Sequence, residues 1–583
     1  MFAGAILIVV LSPKCAEKQK PEWWQTKVSY QLLTPTFHDT DNDGVGDFKG
    51  VTEKIDLLKK IGVTTVYPSP VIEIQKVSAE CVNSAPPVRD RRRRISPSDD
   101  YFNPYDVVDH LQVDKRFGTE ADFKELIDAA HNRDMYVVMD LPVSSVSINH
   151  PWFRNGETEV FVTAKEGSAA FAQPNYHKFA DINGTKYLGY PTAANPVLNW
   201  SNAKVKGTIE EAIKKYLLLG LDGFHIDHVS QLAVDDTGKP NHDAAIAALK
   251  ELTTLIKNFV ESHEDLKEKK IVLFSSLRDI EDLHAKARET GELHYVIDNS
   301  FATLSMGKCP EGVAICVHDT LSAAYSRHQD DSYTPYWQFS NADSSRLASR
   351  FDPDTANLFT FMQLTLPGAL SLYYGQELGL KDVGTPPSPR GVMQWTPSGN
   401  NHHGFLASGD ANIGKLFFAE SNDSKEEDNF ESQYAQENSP LKVYQKLAKM
   451  RQRDEALILG STVRHGLEGD TLVYSRYVKG ENGTAVGTVS TRLKDELSFL
   501  FAPFGNYVSL QAFVVALNFG ANPSPVDFTH FAGQELLPTN KDLAKAEVAA
   551  VTAGVEEYRA RQKMDLTQQK ITLPGKQAVL IRL

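Results

Sequence analysis

Eight short runs rich in β-branched and aromatic residues recur along the chain, at 28–34, 64–71, 136–143, 223–229, 270–275, 294–298, 337–343 and 369–374. Helical patterns lie among and after them, at 50–61, 119–133, 206–219, 243–262, 355–365 and 439–452. Parallel strands cannot be joined by tight hairpins. They need crossover segments, usually helices, and eight such units close on themselves. The alternation therefore predicts an α/β chain built on a (β/α)8 TIM barrel, spanning 25–455. Residues 144–195 follow the third strand without a clean period and read as a short inserted B segment. Residues 406–438 are polar and acidic, as in a long surface loop. The helical signal fades after 456. Segments such as 471–478 and 507–518 predict a C-terminal antiparallel β-domain, a β-sandwich over 456–583. At 583 residues the chain is long enough for both units.

The N-terminus departs from this pattern. Phe2 to Leu11 is continuously apolar. As a helix it would span ~15 Å, about half of a ~30 Å hydrocarbon core. No basic residue precedes it, which disfavours a secretory signal peptide. The simplest account is the outer end of a transmembrane helix over 1–13, followed by a membrane-proximal linker over 14–24. A processed leader or an isoform start is the alternative. The net charge of −14 argues against non-specific nucleic-acid binding. The basic run Arg91 to Arg94 reads either as a solvated loop or as a processing site or anionic-lipid contact.

The four cysteines are Cys15, Cys81, Cys309 and Cys316. Cys309 and Cys316 enclose a short loop and would pair in an oxidising compartment. Cys81 stays unassigned. Glycosylation sequons begin at Asn183, Asn199, Asn422 and Asn482, all downstream of the apolar stretch. Asp39, Asp41, Asp43 and Asp47 alternate around Gly44 and Gly46. Alternate carboxylates in a tight turn converge on one point, and Val45 could add its carbonyl. Oxygen ligands at this density suit a structural Ca²⁺ ion. A bare acidic turn is the other reading.

Several ordered motifs resemble the α-glucosidase branch of the α-amylase superfamily between Trp23 and about residue 466. They are DTDNDGVGDFKGV (39–51), DLPVSSVSINHPWF (140–153), NPVLNWSN (195–202), LDGFHIDHV (221–229), ADSSRLASR (342–350), LYYGQELGL (372–380) and MQWTPSGNNHHGF (393–405). The resemblance implies the barrel, the inserted segment and an ion at 39–47. It also implies where the family's catalytic groups would stand. Asp227 falls at the nucleophile. His225 takes the place of the Arg that orients it, and Ser276 takes the place of the acid/base Glu. Ser144 and Ser145 replace an Asn-His pair, and Ala342-Asp343 replaces His-Asp. A retaining glycosidase uses two carboxylates about 5–5.5 Å apart. The sequence thus predicts a degenerate site (Asp227, Ser276, Asp343, His225) and a chain that is not an enzyme. Asp279, Glu281 or Asp282 is the alternative source of an acid.

Residues 1–25 run from the apolar stretch through Pro13-Lys14-Cys15 and a polar linker to Trp23-Trp24. This arrangement looks like the heavy subunits of heteromeric amino-acid transporters, type II membrane glycoproteins with an amylase-like ectodomain. The resemblance implies that Cys15 forms an intermolecular disulfide with a multi-pass light subunit. It also implies a single-pass type II chain at the plasma membrane with its ectodomain outside, supporting surface expression of the transporter. The competing readings are a membrane-anchored α-glucosidase and a glycan- or protein-binding ectodomain.

Overall fold

The computed structural model describes residues 21–75, 103–178, 184–235, 237–277, 284–326, 335–397, 399, 401–408, 427–460, 465–479, 485–486, 512–531, 536–568 and 570–583. Eight parallel strands close a barrel: β1 (Ser29–Leu33), β2 (Thr65–Ser69), β3 (Tyr136–Leu141), β4 (Gly223–Asp227), β5 (Val272–Ser276), β6 (Tyr295–Asp298), β7 (Tyr336–Trp337) and β8 (Ala369–Tyr373). Each pairs with its sequence neighbours, and β1 pairs with β8.

Helices follow the strands in turn: α1 (Phe48–Ile61), α2 (Glu120–His131), α3 (Ala203–Leu218), α4 (His242–Ser262), α5 (His284–Glu289), α6 (Val313–Ser326), α7 (Pro353–Thr365) and α8 (Pro440–Arg451). Their starts are set locally. Asp47 caps α1 and accepts from Gly50 N at 2.6 Å. Thr119 and Asp122 form a reciprocal capping box on α2. Asp352 caps α7 ahead of Pro353, whose missing N–H costs nothing at that position. The expected strands and helices stand within a few residues of these bounds, except that the seventh strand is only two residues long. α5 and α6 are additions. α6 has apolar residues on most faces, so its helical period is weak in the sequence.

Strand residues alternate between the barrel interior and the helices. Tyr67, Val138, Val272, Phe274, Tyr295, Ile297, Tyr336 and Ala369 form one buried interior cluster. A single helical turn, Trp23–Thr26, closes the bottom of this cluster. Trp23 stacks on Tyr136 at 3.9 Å and donates from Nε1 to Lys270 O at 2.8 Å. The chain therefore joins the barrel at its N-terminal face, opposite the strand ends that build the site.

The inserted segment carries a small antiparallel sheet of Thr163–Ala164, Tyr176–Lys178 and Lys186–Leu188. Beyond the barrel, strands including Thr471–Lys479, Ala512–Asn518, Ala546–Val551 and Gln577–Arg582 form an antiparallel C-terminal sheet.

Among the described residues no helix is long and apolar enough to cross a membrane. The longest, α4, has 21 residues but carries Asp243, Lys250, Glu251, Lys257 and Glu261. The single-pass type II plasma-membrane placement is corrected on this finding, while the expected transmembrane helix over 1–13 lies outside the described residues. The apolar stretch 2–11, Cys15, Cys81 and Arg91 to Arg94 lie outside the described residues.

Candidate active site

The C-terminal ends of β2 to β5 converge on a polar cluster just above the apolar interior. The same alternation that aims Tyr67, Val138 and Phe274 inward also aims Ser69, Asp140, His225, Asp227 and Ser276 inward. His225 lies in register with Asp140 on one side and Phe274 on the other, while Ser276 is level with Asp227. His225 Nδ1 lies 2.6 Å from Asp140 Oδ1, and its Nε2 lies 2.9 Å from Ser276 Oγ. Tyr67 also donates to Asp140 Oδ1, and Ser69 donates to Oδ2 at 2.5 Å. Burial, followed by the Asp140 charge, pushes the Tyr67 phenol well above its usual pKa, so it stays a donor.

Asp227 ends β4. It accepts from the Tyr105 hydroxyl on Oδ2 and from His228 N at 2.8 Å on Oδ1. His228 takes a left-handed backbone, φ 54°, and packs its ring on Tyr105 at 4.3 Å. Ser144 and Ser145 are buried after β3. Ser144 O accepts from Leu198 N at 2.8 Å, which brings the two ends of the inserted segment together. Asp343 stands apart from the relay and pairs with Arg390 at 3.2 Å. Asp279, Glu281 and Asp282 lie outside the described residues.

Around the barrel, the acidic loop after β1 brings Asp39, Asp41 and Asp43 together, with one oxygen of each within 4.8 Å of the others. Asp47 does not join them, because its carboxylate accepts from Gly50 N, Thr40 N and Thr40 Oγ1 at the start of α1. Val45 N donates to Asp43 Oδ1 at 2.8 Å, which braces the turn. Burial drives the Asp39 carboxyl up to about 7. Backbone N–H groups of Gly44 and Asn42 oppose the shift, and Asp41 and Asp43 add to it. Three converging carboxylate oxygens form a donor set that fits a divalent cation, whose charge would favour the ionised form of Asp39.

Elsewhere, Cys309 and Cys316 are disulfide-bonded with Cα atoms 5.5 Å apart. Asn199 is half-buried and its amide donates to Glu159 O at 3.2 Å. Asn183, Asn422 and Asn482 lie outside the described residues.

Residues 31–460 match the alpha amylase catalytic domain, and the chain belongs to that family. Its relatives include transporter heavy chains and carbohydrate-active enzymes. It is 23% identical over 529 residues to the amino acid transporter heavy chain SLC3A1 of Rattus norvegicus, covering 82% of this chain and 72% of that one. It is 26% identical over 397 residues to an oligo-1,6-glucosidase of Bacillus cereus, covering 62% and 67%. The fold matches Bacillus licheniformis trehalose-6-phosphate hydrolase with a TM-score of 0.70 at 18% identity, over 96% of this chain and 100% of that one. The expectation that the chain is not an enzyme is overturned by this company, because the relatives include glucosidases and the fold neighbours include a trehalose-6-phosphate hydrolase.

In the sequence His225 and Ser276 stand only as replacements of family residues; in the structure they bond to each other, and His225 also bonds to Asp140. Tyr67, Ser69 and Tyr105 join the site without a motif to mark them. Their only signal is parity with interior residues of the same strand, and Tyr105 lacks even that because it sits in a loop.

Proposed function

We propose that this chain is a glycosidase-fold heavy subunit that binds and supports a multi-pass amino-acid transporter light subunit, with Cys15 as the covalent link. The observation that supports this reading is the likeness to transporter heavy chains of three mammals, each over 82% of the chain, although a trehalose synthase also matches 80% of it. The test is co-expression of the full chain with a light subunit, then affinity purification on non-reducing gels. A reducible heavy–light complex is expected, and Cys15→Ser should convert it to separate bands. Recovery of this chain without any transporter would sink the reading.

A second reading, action on α-glucosides, is favoured by Asp227 standing at the end of β4 with its carboxylate fixed by Tyr105 and His228 N. Hydrolysis of an α-1,6-linked glucose oligomer that disappears in Asp227→Asn would support it. Equal rates in the two proteins would end it.

We further propose that Asp39, Asp41 and Asp43 hold Ca²⁺ and brace the loop between β1 and α1. The pH dependence has a defined sign. Asp39 binds its proton more tightly in the folded chain, at about 7 against 3.8. Folded chain therefore carries more protons than unfolded chain between these values, and stability falls as pH rises through the window. In chelator the thermal midpoint should drop between about pH 5 and about pH 7.5. Millimolar calcium should raise the midpoint most at the upper end, because binding to the folded state alone stabilises it. Superimposable curves with and without calcium would refute the site.

A further inference from the structure

The Ser276–His225–Asp140 chain is unlike a set of unrelated hydrogen bonds, because both ring nitrogens of His225 are engaged, one by a carboxylate and the other by a hydroxyl. Three donors converge on the Asp140 carboxylate, from Tyr67, Ser69 and His225. An ionised carboxylate only accepts, so the His225 hydrogen is on Nδ1. With its hydrogen on Nδ1, a neutral His225 ring carries a lone pair at Nε2, to which Ser276 Oγ–H donates across 2.9 Å. A serine that donates to an imidazole whose far nitrogen is held by a carboxylate is the arrangement that activates a hydroxyl as a nucleophile. Three neighbouring strands supply the groups, and Ser276 ends its strand at the barrel's C-terminal mouth, where this fold places its chemistry.

We propose that Ser276 is a nucleophile toward small acyl esters, with His225 as its general base and Asp140 as the positioning residue. Ser276 and His225 are each only 5% exposed, so the acyl group must be small. Asp227 stands level with Ser276 and Asp140 lies behind His225, so the mouth is anionic. It therefore disfavours anionic esters and suits neutral or cationic ones.

In the first step Ser276 Oγ bonds to the ester carbonyl carbon and its proton passes to His225 Nε2. The C–O bond to the alcohol breaks, and the leaving alkoxide takes that proton. In the second step water attacks the acyl-serine, again through His225. Acid departs and Ser276 regains its hydrogen. The sum is ester plus water to acid plus alcohol.

The test uses the full chain, a fluorophosphonate probe and p-nitrophenyl acetate. With the probe, an Oγ–P bond forms and fluoride leaves. Peptide mass spectrometry should find one adduct, on Ser276, and none in Ser276→Ala. His225→Ala should slow labelling and ester hydrolysis by about 10³-fold or more. Asp140→Asn should slow them by about 10⁴-fold at neutral pH, because the amide can hold the wrong tautomer. Its rate should recover as pH rises, which a purely structural defect would not produce. Ser276→Cys should gain iodoacetamide reactivity that disappears when His225 is also replaced, which keeps the idea testable if the alanine variants misfold. An unlabelled wild-type chain, an adduct elsewhere, or labelling unchanged in folded His225→Ala would overturn the proposal.

Discussion

Arg476→Ala is expected to destabilise the protein by about 4 kcal/mol, read by chemical denaturation. Arg476 lies on the Thr471–Lys479 strand of the C-terminal sheet and is fully buried. Its guanidinium donates to Thr365 O at 2.5 Å, Leu457 O at 2.9 Å and Gly460 O at 2.9 Å. Thr365 is the last residue of α7, so the cation also meets the negative end of a helix dipole. Arg451 of α8 serves the same end, donating to Leu364 O at 3.1 Å and Leu366 O at 2.5 Å. Burial, reinforced by the neighbouring Arg451 charge, lowers Arg476 to about 9, which still leaves it protonated at neutral pH. Alanine would strand three buried carbonyls and open a cavity at the join between barrel and C-terminal sheet. Arg476→Lys should fall between the two, because one ammonium cannot reproduce the planar fork. A loss below about 1 kcal/mol for the alanine variant would show that water replaces these contacts.

Gly223→Ala should cost about 3 kcal/mol by the same measurement. Gly223 opens β4 at the floor of the barrel. A Cβ there would sit 2.4 Å from both the Val272 carbonyl oxygen and its Cγ1, and 3.2 Å from Val138 Cγ1. The side-chain clash can be relieved but the carbonyl clash cannot, since that oxygen belongs to the adjacent strand. Adding Val272→Ala should therefore recover only a small part of the loss. β4 would be pushed off β5, and Asp227 and Ser276 are placed by that pairing. Near-complete recovery in the double variant would show that the side chain alone sets the limit.

The two expectations connect stability to the site. Arg451 and Arg476 hold the end of α7 through carbonyls that no sequence pattern marks, and α7 leads directly into β8. Gly223 is small so that β3, β4 and β5 can approach at their lower ends. The relay at their upper ends needs that approach, because His225 must reach Asp140 on one neighbour and Ser276 on the other.

The periodic record of hydrophobic runs was enough to determine eight strands, most of the helices and a β-rich C-terminal unit. Those features follow from local alternation and from the need of parallel strands for crossover helices. The acidic turn at 39–47 was legible as a cluster, yet the sequence did not separate Asp47 from the rest. Helix capping by Asp47 is a competing use of the same carboxylate and depends on where α1 begins. His225 and Ser276 were readable only as departures from a pattern. They lie 51 positions apart, and neither predicts the other. Strand register and inward parity, both products of barrel closure, turn an apparently eroded site into a hydrogen-bonded serine, histidine and aspartate. Local sequence specified which residues point inward, and only the closed barrel decided which of them meet.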